Sequence, residues 1–158
     1  MYECTTTQRM SRQLERRPFH SENHFCSTQT EVPLILCIDD EPEVSRSIEM
    51  RLRDYLVDVS RAYFGMQGFW EAVTDRPDLI LMDLAMPNGD GRFLLESLRR
   101  NSTTATIPVI VLTGMRDAHF RNELFALGAN QFLQKPIAFD DLFHEMSRFV
   151  DLQKRPDA

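Results

Sequence analysis

The chain has 158 residues, a formal net charge of −6 and 42% hydrophobic residues. This is enough for one globular domain with a tail, but not for two full domains. The acidic balance argues against nucleic acid as a direct partner. No apolar run approaches the roughly 18 residues of a membrane span, and the N-terminus lacks the apolar segment of a signal peptide. We therefore expect a cytoplasmic protein without membrane insertion.

The N-terminal residues differ in composition from the rest of the chain. Residues 1–32 contain equal numbers of Arg and Glu and few aliphatic side chains, so we expect a mostly disordered arm, with a docking segment as the alternative. Residues 33–152 have the composition of a globular domain, and residues 153–158 form a short tail. Among the three cysteines, Cys37 lies in an apolar run and is predicted to be a buried core thiol.

From residue 33 onward, apolar runs alternate with helical periodicities. In chain order, the runs that predict strands are Leu34–Ile38, Leu56–Val59, Leu79–Met82, Pro108–Leu112 and Gln131–Leu133. The intervening helices are marked by apolar residues from Val44 to Tyr55, Met66 to Val73, Phe93 to Leu98, Phe120 to Leu127 and Leu142 to Phe149, with Gly128 as a C-cap. This alternation predicts a parallel sheet covered on both faces, in a three-layer α/β domain with right-handed crossovers.

The second predicted helix has an unusual composition. Tyr63, Phe64, Phe69 and Trp70 surround Gly68, and aromatic residues at helical spacing favour a core position over a binding surface. Exposure of Trp70 would instead indicate a partner contact. Gly68 stands where a small helical residue such as Ala is expected, and it costs the helix up to about 1 kcal/mol.

Charged and polar residues collect at the carboxyl ends of four predicted strands. Asp39 and Asp40 follow the first strand, Asp83 the third, Thr113 the fourth, and Lys135 the fifth. Ligands of open parallel sheets bind beyond these strand ends. Each residue alone could be a helix cap or a solvated charge. Together, three carboxylates require a cation such as Mg²⁺, and a carboxylate can act as the nucleophile that forms an aspartyl phosphate.

The motifs around these residues resemble one family, the receiver domain of bacterial two-component response regulators. The similarity covers about residues 33–152 and rests on Ile38-Asp39-Asp40-Glu41-Pro42, Leu81-Met82-Asp83-Leu84-Ala85-Met86-Pro87, Leu112-Thr113-Gly114 and Gln134-Lys135-Pro136. Gly89 and Gly91 resemble the glycine-bearing loop of the family. The resemblance implies a flavodoxin-like (βα)5 fold, a three-layer sandwich with strand order 2-1-3-4-5.

The resemblance also implies roles for the strand-end residues. Asp83 would accept the phosphoryl group of a sensor histidine kinase or a histidine phosphotransfer protein. Asp40, Asp83 and the backbone carbonyl of Ala85 would bind Mg²⁺, with Asp39 assisting directly or through water. Lys135 would contact the acceptor carboxylate and then the phosphoryl oxygens.

A conformational switch is part of what the family resemblance implies. Thr113 would hydrogen-bond the phosphoryl group, and Phe132 occupies the aromatic switch position, unless it is a plain core residue. The Lys135–Pro136 peptide resembles one that is cis in the family. Phosphorylation would shift the face formed by the fourth helix, fifth strand and fifth helix between two existing states, and a downstream protein target would bind there.

Two positions that border the path of the hydrolytic water depart from the family pattern. Ala85 and Met115 each lie two residues after a site residue, and neither side chain can orient water by a strong hydrogen bond. We therefore predict comparatively slow self-dephosphorylation.

Other classes of protein fit the sequence less well. A dehalogenase-type phosphatase needs a second Asp where Ala85 stands, and no GxxxxGK[ST] loop is present. The chain is therefore not expected to be an enzyme, beyond phosphotransfer onto its own Asp83 and self-dephosphorylation. Residues 153–158 are too short for an output domain, which predicts a stand-alone regulator or a relay intermediate. The alternative is a degenerate receiver that acts as a phosphate-independent interaction module.

Overall fold

The computed structural model describes residues 32–86, 91–114 and 118–156, with side chains from residue 121 in the last range. Its ten elements, in chain order, are β1 Leu34–Ile38, α1 Pro42–Leu52, β2 Asp58–Ala62, α2 Gly65–Asp75, β3 Leu79–Asp83, α3 Gly91–Arg100, β4 Val109–Thr113, α4 Ala118–Ala126, β5 Gln131–Gln134 and α5 Phe139–Met146. The predicted alternation of strands and helices is confirmed.

The five strands form one parallel sheet in the order β2-β1-β3-β4-β5. All residues of β3 and β4 are buried, because helices cover both faces of the sheet. One apolar core lies between the sheet and α2, α3 and α4. A second core, which contains the buried Cys37, lies between the sheet and α1 and α5. The predicted three-layer flavodoxin-like fold is therefore confirmed.

The bounds predicted for the second strand are wrong. The apolar run Leu56–Val59 predicts the strand, but β2 comprises Asp58–Ala62. This strand lies at the edge of the sheet, where buried Ser60 and Ala62 alternate with half-buried Val59 and Arg61. An unbroken apolar run identifies strands with neighbours on both sides, whereas an edge strand needs buried side chains only at alternate positions.

Backbone hydrogen bonds join the loop that precedes β2 to residues 153–155. The Leu56 amide donates to the Gln153 carbonyl at 2.7 Å, and the Arg155 amide donates to the Asp54 carbonyl at 2.8 Å. Tyr55 therefore lies beyond α1, where it forms an antiparallel bridge with Lys154. These bonds attach residues 153–155 to the loop that precedes β2.

The predicted C-cap at Gly128 is confirmed. Its φ of 100° lies in the left-handed region that glycine adopts without strain. The Gly128 amide donates to the Phe125 carbonyl, and the Ala129 amide donates to the Leu124 carbonyl. This pair of bonds is a Schellman motif, which satisfies the last carbonyls of α4 and directs the chain into β5.

The predicted core position of the aromatic residues around Gly68 is wrong for three of the four. Tyr63, Phe64 and Trp70 are 39%, 53% and 60% exposed, and the buried residues of α2 are Gly65, Gly68 and Ala72. Phe69 is half-buried and packs against the core. The small side chains face the sheet, so the large ones on the same helix point outward. Because Trp70 is exposed, the sequence argument now favours a partner contact at this residue, and that contact stays a prediction.

Gly68 is required by the close approach of α2 to β1. A Cβ atom at this position would lie 2.5 Å from Ile38 Cδ1 and 2.9 Å from Cγ1 and Cγ2. Gly68→Ala should therefore destabilise the domain by about 1 kcal/mol or more by overpacking, although Ala is the better helix former. Urea unfolding of Gly68→Ala, Ile38→Val and the double variant measures this effect. Gly68→Ala should cost less when Ile38→Val is also present, and stabilisation by Gly68→Ala alone would contradict the packing argument.

Within residues 32–86, 91–114 and 118–156, no helix combines the length and the apolar character that crossing a bilayer requires.

Candidate functional site

Three carboxylates meet at the carboxyl edge of the sheet. Asp39 directly follows β1 and Asp83 is the last residue of β3. Since β1 and β3 are parallel neighbours, their ends lie side by side. Asp39, Asp40 and Asp83 can each place one carboxylate oxygen so that these oxygens lie within 4.8 Å of one another. The convergence of the three predicted acidic residues is therefore observed.

The site keeps two of these carboxylates almost out of water. Asp39 is 3% exposed and Asp83 is 4% exposed. Burial raises the pKa of Asp39, and hydrogen bonds from Lys135 and the Glu41 amide only partly offset this effect. The Glu41 amide donates to Asp39 Oδ1 at 2.9 Å, and the Ala85 amide donates to Asp83 Oδ1 at 3.1 Å. These donors orient the two carboxylates, and the charge of Asp83 is a smaller additional cause that raises the pKa of Asp39.

Lys135 supplies a positive charge to this cluster. Its Nζ donates to Asp39 Oδ2 at 2.8 Å and to Asp83 Oδ2 at 3.0 Å. Burial alone lowers the pKa of Lys135, but the bonds to Asp39 and Asp83 outweigh burial and raise it. The ammonium form is therefore the one that the site stabilises.

The backbone around Lys135 places it at the site. The Lys135 amide donates to the carbonyl of Thr113 at 2.8 Å, which continues the β4–β5 ladder by one residue. The Lys135–Pro136 peptide is cis, as the resemblance implies. A groove of about 360 Å³ opens beside Lys135 between α1 and α5, and Ile48, Leu112 and Phe139 are among its lining residues.

The donor set fits a hard divalent cation. One ammonium cannot balance three carboxylates, and oxygen ligands of this kind are those that Mg²⁺ prefers. Asp39, Asp40 and Asp83 are the residues that could hold the ion. Ala85 is exposed and contributes an amide hydrogen bond to Asp83, while its carbonyl as a metal ligand stays a prediction.

The predicted switch residues lie on β4 and β5, the two strands on one side of β3. Thr113 is the last residue of β4 and is fully buried. Phe132 lies on β5, pairs in register with Val111, and packs against the core on the side of α4. Gly91 at the start of α3 approaches Leu84 so closely that a Cβ would lie 2.6 Å from the Leu84 Cα. Gly89 and Met115 lie outside the described residues.

One residue beside the predicted switch was not anticipated from the sequence. The Arg121 guanidinium carbon lies 5.6 Å from the centre of the Phe132 ring and 5.9 Å from that of Phe125. The i, i+4 spacing of Arg121 and Phe125 is a signal that could have indicated part of this contact. The contact with Phe132 depends on how α4 packs beside β5, which local spacing does not show.

The family model for the response regulator receiver domain matches residues 35–147. The chain belongs to this family. The receiver domain is 36% identical over 126 residues to the DNA-binding dual master transcriptional regulator RpaA of Synechocystis, a match that covers 80% of this chain and 51% of RpaA. It is 33% identical over 108 residues to the response regulator ArlR of Staphylococcus saprophyticus, covering 68% of this chain and 48% of ArlR. The chain thus spans about half the length of these two relatives.

Solved structures also resemble this receiver domain. The Francisella response regulator 1452 receiver domain has a TM-score of 0.69 at 26% identity, covering 74% of this chain and 95% of that one. The chemotaxis protein CheY4 of Vibrio cholerae has a TM-score of 0.70 at 25% identity, covering 75% and 99%. Both the family and the fold predicted from the sequence are confirmed.

Proposed function

We propose that this receiver domain accepts a phosphoryl group on Asp83 from the phosphohistidine of a sensor histidine kinase or a histidine phosphotransfer protein. The observation that carries the proposal is the contact of Lys135 Nζ with both Asp39 and Asp83 beside the clustered carboxylates. An Asp83 oxygen would attack the phosphorus atom, a P–O bond would form, and the P–N bond would break. The imidazole leaves with the bonding electron pair and takes up a proton.

The residues around Asp83 would stabilise the charge on the phosphoryl oxygens. Asp39, Asp40 and Asp83, with the Ala85 carbonyl, would hold Mg²⁺, which when bound supplies positive charge at those oxygens. Lys135 would donate to the phosphoryl oxygens from the position where it now contacts Asp39 and Asp83. The Thr113 hydroxyl would donate to the same group. Because the product is the modified protein itself, we propose a signalling module and not a turnover enzyme.

The phosphorylated state would be transmitted through the face formed by α4, β5 and α5. A phosphoryl group adds roughly −1.5 to −2 charge at the strand ends. Movement of Thr113 toward it would open space for Phe132, which borders the core between β5 and α4. A downstream protein would then bind this face, or the phosphoryl group would pass onward to a histidine phosphotransfer protein. The expectations of a stand-alone regulator, of the arm at 1–32, of the domain at 33–152 and of the tail at 153–158 stay predictions.

Incubation with a small acyl phosphate tests the proposal. Intact-protein mass spectrometry should show a gain of one phosphoryl group when Mg²⁺ is present and none when it is chelated with EDTA. Absence of any gain at saturating Mg²⁺ would contradict the proposal and support the alternative, a degenerate receiver that acts as a phosphate-independent interaction module. One observation favours that alternative: the Lys135 ammonium already pairs with the carboxylates of Asp39 and Asp83 and so neutralises part of their charge when no phosphoryl group is bound.

The lifetime of the aspartyl phosphate is a separate prediction. Ala85 and Met115 provide no polar group to orient water, so hydrolysis should be slow. The Ala85→Asn, Met115→Glu double variant should release phosphate on the order of tenfold faster or more, because it can position the attacking water. Release of inorganic phosphate after removal of the acyl phosphate measures this rate. The Ala85→Val, Met115→Leu variant is the control, and equal rates in all three proteins would overturn the prediction.

A further inference from the structure

A cationic side chain on α4 contacts the ring of the residue at the proposed switch position. Arg121 is exposed, and its guanidinium carbon lies 5.6 Å from the ring centre of Phe132 and 5.9 Å from that of Phe125. Both distances are within the range of a cation–π interaction. In the part of the chain that the structure describes, no carboxylate forms an ion pair with Arg121. The two aromatic rings are therefore the described partners of this guanidinium.

The position of Phe132 makes this contact a link between two elements. Phe132 is half-buried on β5 and packs against the core that also contains Leu124 of α4. Leu124 is the one buried side chain among residues 121–126. The described links of α4 to β5 and to this core include the burial of Leu124 and the approach of the Arg121 guanidinium to Phe132.

We propose that Arg121 is a positioning residue that holds the Phe132 ring in the half-buried arrangement it has in this structure, here called the outward arrangement, and that this bias helps the receiver to keep the conformation of its unphosphorylated state. The proposal rests on the proposed function, in which Phe132 moves when Asp83 carries a phosphoryl group. The Arg121 guanidinium carbon lies over the Phe132 ring, and inward rotation of the ring would remove this contact. A phosphoryl mimic shifts the equilibrium because it binds the protein with Phe132 inward more tightly than the protein with Phe132 outward. Loss of the Arg121 contact weakens the outward arrangement, so the apparent affinity for the mimic should rise.

The expected effect is moderate and specific. An exposed cation–π contact corresponds to about a two- to fivefold change in the equilibrium between the two arrangements. Arg121→Ala removes the contact, whereas Arg121→Lys retains the charge and loses the planar stacking surface. The Lys variant should therefore fall between Ala and the native residue. Arg100→Ala is the matched control, because Arg100 is an exposed arginine on α3 whose described ion pair is with Glu96.

The experiment titrates the full chain with beryllofluoride and Mg²⁺ while 19F NMR follows fluorophenylalanine, with the Phe132 signal assigned by Phe132→Leu. In Arg121→Ala, the signal without ligand should move toward its position in the saturated native protein. Beryllofluoride should bind this variant about two- to fivefold more tightly. A merely structural role for Arg121 would lower the free energy of unfolding without raising this affinity.

Two negative results have different meanings. If Arg121→Ala binds beryllofluoride as the native protein does, and the Phe132 signal is unchanged, the inference about Arg121 is wrong while the proposed function stands. If the native protein binds no beryllofluoride and gains no phosphoryl group, the proposed function fails and the inference fails with it. An equal gain of affinity in Arg100→Ala would also overturn the inference, because the effect would then come from net charge alone.

Discussion

Replacing Asp83 with Asn should abolish phosphoryl uptake from an acyl phosphate at every Mg²⁺ concentration. The substitution keeps the size of the side chain but removes the charge and the nucleophilic oxygen. Asp83 is the last residue of the central strand β3, and its carboxylate accepts a hydrogen bond from Lys135. Loss of the phosphoryl signal should therefore be complete within the detection limit of intact-protein mass spectrometry.

A comparison with Asp39 separates the acceptor from a metal ligand. Asp39→Asn should raise the Mg²⁺ concentration needed for half-maximal uptake and still permit phosphorylation of Asp83 at high Mg²⁺. Asp54→Asn, which changes an exposed carboxylate paired with Arg53 beyond the end of α1, should behave like the native protein. Phosphoryl uptake by Asp83→Asn at high Mg²⁺ would show that another residue is the acceptor.

Replacing Lys135 with Met should lower the free energy of unfolding by about 2 to 3 kcal/mol near neutral pH without divalent cations. Removal of one partner from a buried ion pair leaves an uncompensated charge, and the partial exposure of Lys135 reduces the cost below that of a fully buried pair. Here two carboxylates, those of Asp39 and Asp83, lose the same partner. Urea unfolding measures the change, and Lys154→Met at an exposed position is the control.

The same variant has a specific dependence on pH and Mg²⁺. Burial already raises the pKa of Asp39, and loss of Lys135 should raise it further. A carboxyl group whose folded pKa lies above its unfolded value destabilises the fold above the folded pKa, and this penalty disappears below the unfolded pKa. The deficit of Lys135→Met should therefore shrink as the pH falls toward about 4 and when Mg²⁺ is added. A deficit independent of both would show that Lys135 contributes packing and not charge.

Much of the site was predictable because parallel strands place their carboxyl ends at one edge. The apolar runs before Asp39 and Asp83 identify two strands, and the residue that follows or ends each run must lie at that edge. The same argument identifies Thr113 and Lys135. Spacing alone does not show which atoms touch. The family resemblance implies the contact of Lys135 with Asp83, whereas the second contact, with Asp39, is information from the structure.

The predictions that failed concern residues whose surroundings come from distant parts of the chain. The bounds of β2 depend on its place at the edge of the sheet, which apolar content does not show. The exposure of Trp70 depends on Ile38, which lies so close to α2 that only a residue without a Cβ fits at position 68. Helical periodicity identifies an apolar stripe, but the depth of contact with the sheet decides whether small or large side chains face it.

The order and type of the elements, the parallel sheet and the acidic edge could be predicted from local periodicity and from the alternation of strands and helices, and the family from its motifs. Packing in three dimensions was needed to learn which face of α2 is buried, how Lys135 divides its hydrogen bonds between two carboxylates, and which side chain lies over Phe132. These features depend on distances between side chains that are far apart in the chain. Packing sets such distances, and they produce no periodic pattern in the sequence.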